Sequence, residues 1–381
     1  MKFNTTLIHG GYSEDEVTGA VSTPIYRAST FHQHKLGSKV KWEYSRTGNP
    51  TRASLEKLIA QLEHGVAGFA FSSGSAAIAT VFALYSKGDH FIVGNDVYGG
   101  TFRLINQVLK RFGMKFTVVD TQNPQNVEEA IQDNTVAIYF ETPTNPLMRI
   151  TDIHTIADIA KKHHLRTIID NTFATPYNQQ PLTLGADIVI HSATKYLGGH
   201  SDVVAGLAVT NDPKLAEQLA FLQNSIGSTL GPDDSWLLQR GIKTLNARMR
   251  VHQENANAVI DFLQNNPHIA KIYYPGLKNF PGHEIAAKQM KNFGAMISFE
   301  LQSGLDVKKF IENLELIDLA ESLGGIESLI EVPAIMTHGS IPRSIRLKNG
   351  IKDELIRLSV GIEDPVDIID DLKQALINLD K

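Results

Sequence analysis

The sequence predicts an α/β protein with a mostly parallel central sheet, a smaller C-terminal α+β domain and an extended N-terminal arm. Two observations point to the sheet and one to the second domain. Six short apolar runs, at 69–71, 91–93, 116–119, 136–140, 167–169 and 188–190, end in turn or polar residues and alternate with helical stretches. That is the pattern of strands buried on both faces and joined by crossover helices. The chain has 381 residues, more than the roughly 100–200 of one domain. Beyond about residue 240 the rhythm changes to a long helical stretch, a strand over 294–301 and a closing amphipathic helix over 368–379. The expected divisions are therefore an arm at 1–47, a sheet domain at 48–240 and a C-terminal domain at 241–381.

In order along the chain, residues 1–47 are rich in Gly, Ser, Thr and His with little periodicity, and arms of this kind often reach a neighbouring subunit. A helix is expected after Asn49-Pro50-Thr51, because Leu55, Leu58, Ile59 and Leu62 share one face. Composition narrows the chemistry. With no Cys there is no disulfide framework, no Cys-ligated zinc and no thiolate nucleophile. The net charge of -5 is mild and the basic residues are scattered, so a nucleic-acid partner is not expected. No apolar stretch is long enough to span a membrane, and the first residues run into His9-Gly10-Gly11 without a secretory signal. The expected address is the cytoplasm, the expected ligand a small molecule, and no metal site is expected.

Ligands of parallel sheets gather beyond the carboxyl ends of the strands, so the residues there matter most. After 69–71 comes Ser72-Ser73-Gly74-Ser75 and then a helix. Exposed N–H groups at such a start suit a phosphate, although a plain tight turn reads the same way. After 167–169 comes Asp170 with Asn171 and Thr172. A carboxylate there could hold a metal, keep a pyridine nitrogen protonated, or only cap a turn. The chain has no Gly-x-x-x-x-Gly-Lys-Ser/Thr loop, which weakens a nucleotide reading. After 188–190 comes His191-Ser192-Ala193-Thr194-Lys195, a lysine among small and hydroxyl residues. Such a lysine can be lowered in pKa and form imines, though a surface lysine is the ordinary fate. Ser192-x-x-Lys195 also matches the nucleophile motif of serine acyl-enzymes, but the companion Ser-Asp-Asn and Lys-Thr-Gly motifs are missing. One ligand with a phosphate, a ring nitrogen and an aldehyde would use all three sites: pyridoxal 5'-phosphate.

At this point the sequence resembles the Cys/Met-metabolism family of pyridoxal-phosphate enzymes, end to end. The specific segments are Tyr44-Ser45-Arg46-Thr47-Gly48-Asn49-Pro50-Thr51, Glu141-Thr142-Pro143-Thr144-Asn145-Pro146, Asp170-Asn171-Thr172-Phe173-Ala174-Thr175-Pro176, the stretch from Ser192 to Gly199, and Arg357-Leu358-Ser359-Val360-Gly361-Ile362-Glu363. The resemblance implies the aspartate aminotransferase-like fold type I, with 48–240 as the cofactor-binding domain. It implies that Lys195 is the Schiff-base lysine and proton shuttle, and that Asp170, with Thr172 beside it, serves the pyridine nitrogen. Gly74, Ser75, Ser192 and Thr194 would hold the phosphate, Tyr98 would stack on the ring and assist proton transfer, and Asn145 would lie near the ring oxygen and the substrate. Arg357 would grip the substrate α-carboxylate. Tyr44 and Arg46 would reach the phosphate of a neighbouring subunit, in a homotetramer built as a dimer of dimers with shared active sites.

The substrate implied is a sulfur amino acid. Tyr98-Gly99-Gly100-Thr101-Phe102-Arg103 and Glu321-Ser322-Leu323-Gly324-Gly325 resemble the cystathionine γ-lyase and γ-synthase branch, with Glu321, Ser322 and Arg103 lining the substrate pocket. Methionine γ-lyases commonly place Cys where Gly100 stands, and β-lyases usually carry an aromatic residue at position 321, so both are set behind. The expectation is γ-lyase activity on cystathionine, with side activity on homocysteine or cysteine. The alternatives are γ-synthase activity, joining an O-acylhomoserine to cysteine, and more remotely an acyl-enzyme on Ser192 and Lys195.

Overall fold

A computed structural model of the chain describes residues 1–12, 14–339 and 341–380. The central sheet contains β1 (Ala67–Phe71), β2 (His90–Gly94), β3 (Lys115–Val119), β4 (Thr135–Glu141), β5 (Arg166–Asp170), β6 (Ile188–Ser192) and β7 (Gly206–Thr210), in the order β1-β7-β6-β5-β4-β2-β3. The six predicted runs are all strands. β7 was not anticipated. It pairs antiparallel with both β1 and β6, whereas the β6-β5-β4-β2-β3 pairings are all parallel. Its five residues are buried on both faces, so they lack the alternation that marks a half-exposed strand.

That reversed strand has a local consequence for the site. Gly206 is the register partner of Phe71 on one side and of Ser192 on the other. The turn after β1 and the end of β6 are thereby brought together. A Cβ on Gly206 would stand 2.0 Å from the Ser73 carbonyl oxygen, so only glycine allows this approach.

Two helices set the front of the chain. The helix expected after Asn49 forms over Pro50–Leu62, and the Asn49 side chain accepts from the N–H groups of Thr51 and Arg52 while Pro50 opens the first turn. Residues 3–9 depart from the expected extended arm, since Phe3–His9 is a helix. Phe3 and Leu7, four residues apart, share a face that packs on the core containing Leu55 and Leu58. The stretch 14–48 is largely exposed and matches an arm.

The second sheet contains β8 (Ile269–Tyr273), β9 (Met296–Leu301), β10 (Asp318–Leu319), β11 (Leu329–Glu331) and β12 (Leu355–Ser359), ordered β10-β11-β12-β9-β8. The helices Leu245–Gln264 and Pro365–Ile377 cover it, and Phe299, Phe310, Ile368 and Leu372 belong to its core. This is the α+β unit expected after the change of rhythm. Among the described residues no helix is long and apolar enough to cross a membrane.

Candidate active site

A cavity of about 380 Å³ opens where the carboxyl ends of β1, β4, β5 and β6 face the second sheet. Its lining includes Gly74, Ser75, Tyr98, Asn145, Asp170, Thr172, Ser192, Thr194, Lys195, Glu321, Ser322 and Arg357. Twelve residues chosen from the sequence thus meet in one place. The volume lies in the usual range for small-molecule sites.

One end of the cavity is shaped for an anion. The helix Gly74–Phe82 begins there, with Ser73 capping it by accepting from the Ala76 N–H at 3.1 Å. A Cβ on Gly74 would fall 2.9 Å from the Ser192 Cβ and 3.1 Å from its Oγ, so the backbone lies close over that hydroxyl. The Thr194 hydroxyl accepts from the Ala205 N–H at 3.0 Å, which clamps the loop after β6. Small residues, hydroxyls and free helix N–H groups suit a phosphate. The only Lys or Arg side chains lining the cavity, among the described residues, are Lys195 and Arg357.

In the middle stand two carboxylates and a lysine. Asp170 Oδ1 accepts from the Thr172 N–H at 3.0 Å and from its hydroxyl at 2.5 Å. Burial nevertheless raises its pKa, against the lowering effect of those two bonds. Lys195 Nζ donates to Ser322 Oγ at 2.8 Å. Burial first, and then the charge of Arg357, pull the ammonium down from 10.5 to about 8. A lysine so placed spends a useful fraction of time neutral. Its partner is Ser322, not Ser192, so the Ser192-Lys195 pair required by an acyl-enzyme is not formed.

The far wall belongs to the second sheet. Arg357 is fully buried and bonds Asn145 Oδ1 at 2.9 Å, the Ser322 carbonyl at 2.6 Å and Glu331 Oε1 at 2.9 Å. Glu331 is its register partner across β11 and β12. Ser322 holds φ +96, a left-handed conformation that costs a non-glycine residue about 1 kcal/mol or more. Tyr98 stands at the mouth, 40% exposed, with burial of its remainder raising the phenol pKa. Its ring packs on Gly100, where a Cβ would lie 2.3 Å from Cε1, so a side chain at 100 would displace it. Glu321 is exposed on the same side.

Three predicted residues lie elsewhere. Arg46 is exposed, donates to the Asn224 carbonyl at 2.6 Å and stacks on Tyr44 at 5.6 Å, and neither lines the cavity of its own chain. Arg103 is exposed and outside the lining, though its charge acts on the Tyr98 phenol. Sequence reasoning passed over Glu141, Thr337 and Glu331. Glu141 directly follows the apolar run 136–140, so the strand-end rule already pointed to it. Glu331 gave little signal, because β11 has three residues.

Comparison with known proteins identifies the family. Residues 4–377 match the family model described as Cys/Met metabolism PLP-dependent enzyme. A cystathionine beta-lyase of Lactococcus lactis subsp. cremoris is 60% identical over 372 residues, 98% of each chain. A cystathionine gamma-lyase of Bacillus subtilis is 58% identical over 379 residues, all of each chain. The crystal structure of cystathionine gamma-lyase from Lactobacillus plantarum complexed with L-serine superposes with a TM-score of 0.98 at 63% identity, covering both chains fully. Cystathionine gamma-synthases are also among the matches. Relatives named β-lyase, at 60% identity, and γ-lyase, at 58% and 63%, match almost equally, so the names divide between the two activities.

Proposed function

Since the chain belongs to the Cys/Met-metabolism family of PLP-dependent enzymes, with fold type I and carbon–sulfur chemistry on amino acids, we propose that it is a cystathionine γ-lyase. The reaction takes cystathionine and water to cysteine, 2-oxobutanoate and ammonia. The observation that supports a cystathionine substrate is the position of Glu321, a carboxylate in the lining of the cavity that holds Lys195, Asp170 and Arg357, and the 63% identical solved γ-lyase favours γ-cleavage of it. There it can meet the distal ammonium of cystathionine.

Bound in this cavity, pyridoxal phosphate supplies an aldehyde for amines and a ring that draws electron density from the substrate Cα. The chain's own groups do the rest. Gly74 and Ser75 N–H groups with the hydroxyls of Ser192 and Thr194 would hold the phosphate, and Asp170, oriented by Thr172, would accept from the protonated ring nitrogen. Tyr98 would cover the ring and Asn145 would serve its oxygen. Arg357 pairs with the substrate α-carboxylate, giving up contacts it makes within the chain. Lys195 would be the residue that carries the cofactor and, as a free amine with a pKa lowered to about 8, would hold and move the Cα proton.

Among the described residues the phosphate end has no cation of its own, so a dianion there gains from an outside Arg. Arg46 with Tyr44, on an exposed arm and outside the lining of their own cavity, are the groups for this, in a dimer pairing within a homotetramer.

Product analysis decides the reaction. L-cystathionine should give 2-oxobutanoate and cysteine. Pyruvate and homocysteine would instead establish the second reading, β-lyase activity, which the 60% identical relatives favour. Faster cystathionine formation from an O-acylhomoserine and cysteine would make it a synthase. The purified protein should be yellow, with borohydride fixing the cofactor on Lys195.

A further inference from the structure

Glu141 ends β4 directly beside Asp170, its register partner at the end of β5, and both line the cavity. Side chains at paired positions of neighbouring parallel strands share one face. Two carboxylates therefore lie side by side at the floor of the cavity, Glu141 buried and Asp170 half-buried, and among the described residues neither makes an ion pair with Lys, Arg or His. Like charges so close in such surroundings do not both ionise. The donors are unequal. Asp170 Oδ1 accepts two hydrogen bonds from Thr172, whereas Glu141 Oε1 accepts one, the backbone N–H of Tyr98 at 2.7 Å. The wider charges lean the same way. His191, paired with Glu63 at 2.7 Å, favours the charged form of Asp170, while Asp96 lies behind Glu141 and opposes its charge.

We infer that Glu141 is a positioning residue that works uncharged: it fixes Tyr98 over the cavity through that backbone N–H and leaves the negative charge of the pair to Asp170. Only an anion at Asp170 complements a protonated ring nitrogen, and a second anion beside it would compete for the same proton. A neutral Glu141 avoids the competition and still offers an oxygen to Tyr98. The loop from Asn95 to Tyr98 is tied at a second point, where the Thr144 hydroxyl donates to Asp96 Oδ2 at 2.5 Å, so Glu141 sets the end of the loop that carries the ring.

The inference rests on pyridoxal phosphate standing on Asp170, and its test is separable from that reading. Apo-protein of the wild type and of Glu141→Gln, Glu141→Asp and Glu141→Ala would be titrated with pyridoxal phosphate, with folding checked by circular dichroism. Glutamine keeps both the length and the neutral state, so Glu141→Gln should hold cofactor affinity within about threefold and leave the pH dependence of the visible band unmoved. Glu141→Ala, without the Tyr98 contact, should weaken the cofactor about tenfold and lower kcat more than it changes KM, on the scale of one lost hydrogen bond. Glu141→Asp should resemble Ala, because its shorter side chain does not reach. In the wild-type holoenzyme a carboxylic-acid C=O infrared band should be present near neutral pH and vanish in Glu141→Gln. A Glu141→Gln variant that loses as much as Ala, or shifts the pH dependence of the band, would show that Glu141 acts as an anion. Wild-type-like behaviour of every variant would remove the positioning role. Failure of wild-type apo-protein to bind the cofactor would count against the proposed function instead.

Discussion

Lys195 Nζ donates to Ser322 Oγ at 2.8 Å, while the carbonyl of the same serine accepts from Arg357 Nη2 at 2.6 Å. One residue, in a left-handed conformation, thus spaces the cation assigned to the cofactor from the cation assigned to the substrate. Replacing its hydroxyl should cost about 1.5–3 kcal/mol of transition-state stabilisation, or about 10- to 100-fold in kcat/KM. Ser322→Gly is the informative variant, because it removes the hydroxyl and relieves the backbone. It should be about 1 kcal/mol more stable than Ser322→Ala by urea denaturation, although both lose activity alike.

The depressed pKa of Lys195 also predicts how stability changes with pH. In the unfolded chain this lysine keeps its proton up to 10.5, and in the folded apo-protein only up to about 8. Between those values the unfolded state binds more protons, so the contribution of Lys195 to stability improves as pH rises through the window. Below it the buried ammonium costs the fold about 3 kcal/mol. Apo Lys195→Met should therefore have a higher urea midpoint than wild type at pH 7, and the gap should shrink as pH rises from 8 towards 10.5. A gap independent of pH would mean that the ammonium is not penalised by burial.

The role proposed for Glu321 is to read the substrate's far end. An exposed ion pair contributes about 0–1 kcal/mol, whereas one sheltered in a cleft reaches about 1.5–3 kcal/mol. Glu321→Ala should lower kcat/KM for cystathionine by at least about tenfold and affect homocysteine less. Equal losses on both substrates would show that it supports the fold or the cofactor.

Sharing of sites between subunits can be tested with two inactive variants. Arg46→Ala and Lys195→Ala, mixed under conditions of proven subunit exchange, should recover some activity, because one site of each hybrid regains both residues. The absence of recovery would place Arg46 in the site of its own chain.

The sheet was legible because its strands are continuous apolar runs bounded by turns, and the site because functional side chains follow those runs. Asp170, Ser192 and Lys195 stand there for that reason. What escaped is instructive. β7 hides because both its faces are buried and Gly206 opens it, yet it brings Gly74 against Ser192. The helix Phe3–His9 hides because about two turns offer only Phe3 and Leu7 as a periodic signal. Glu331 hides because its meaning is tertiary: it becomes the counter-ion of a buried guanidinium only when β11 and β12 pair.

The cavity walls come from different sheets, with Lys195 and Asp170 following strands of the first and Arg357 on a strand of the second. A ligand that touches both is therefore a rivet between two sheets, adding to the packing they already share where Tyr273, Met296 and Leu355 join the core of the first. Calorimetry should register this as a change of shape as well as of position. Any separate melting of the two cores in the bare protein should merge towards a single endotherm once a carboxylate ligand spans the gap, because only the joined state binds it.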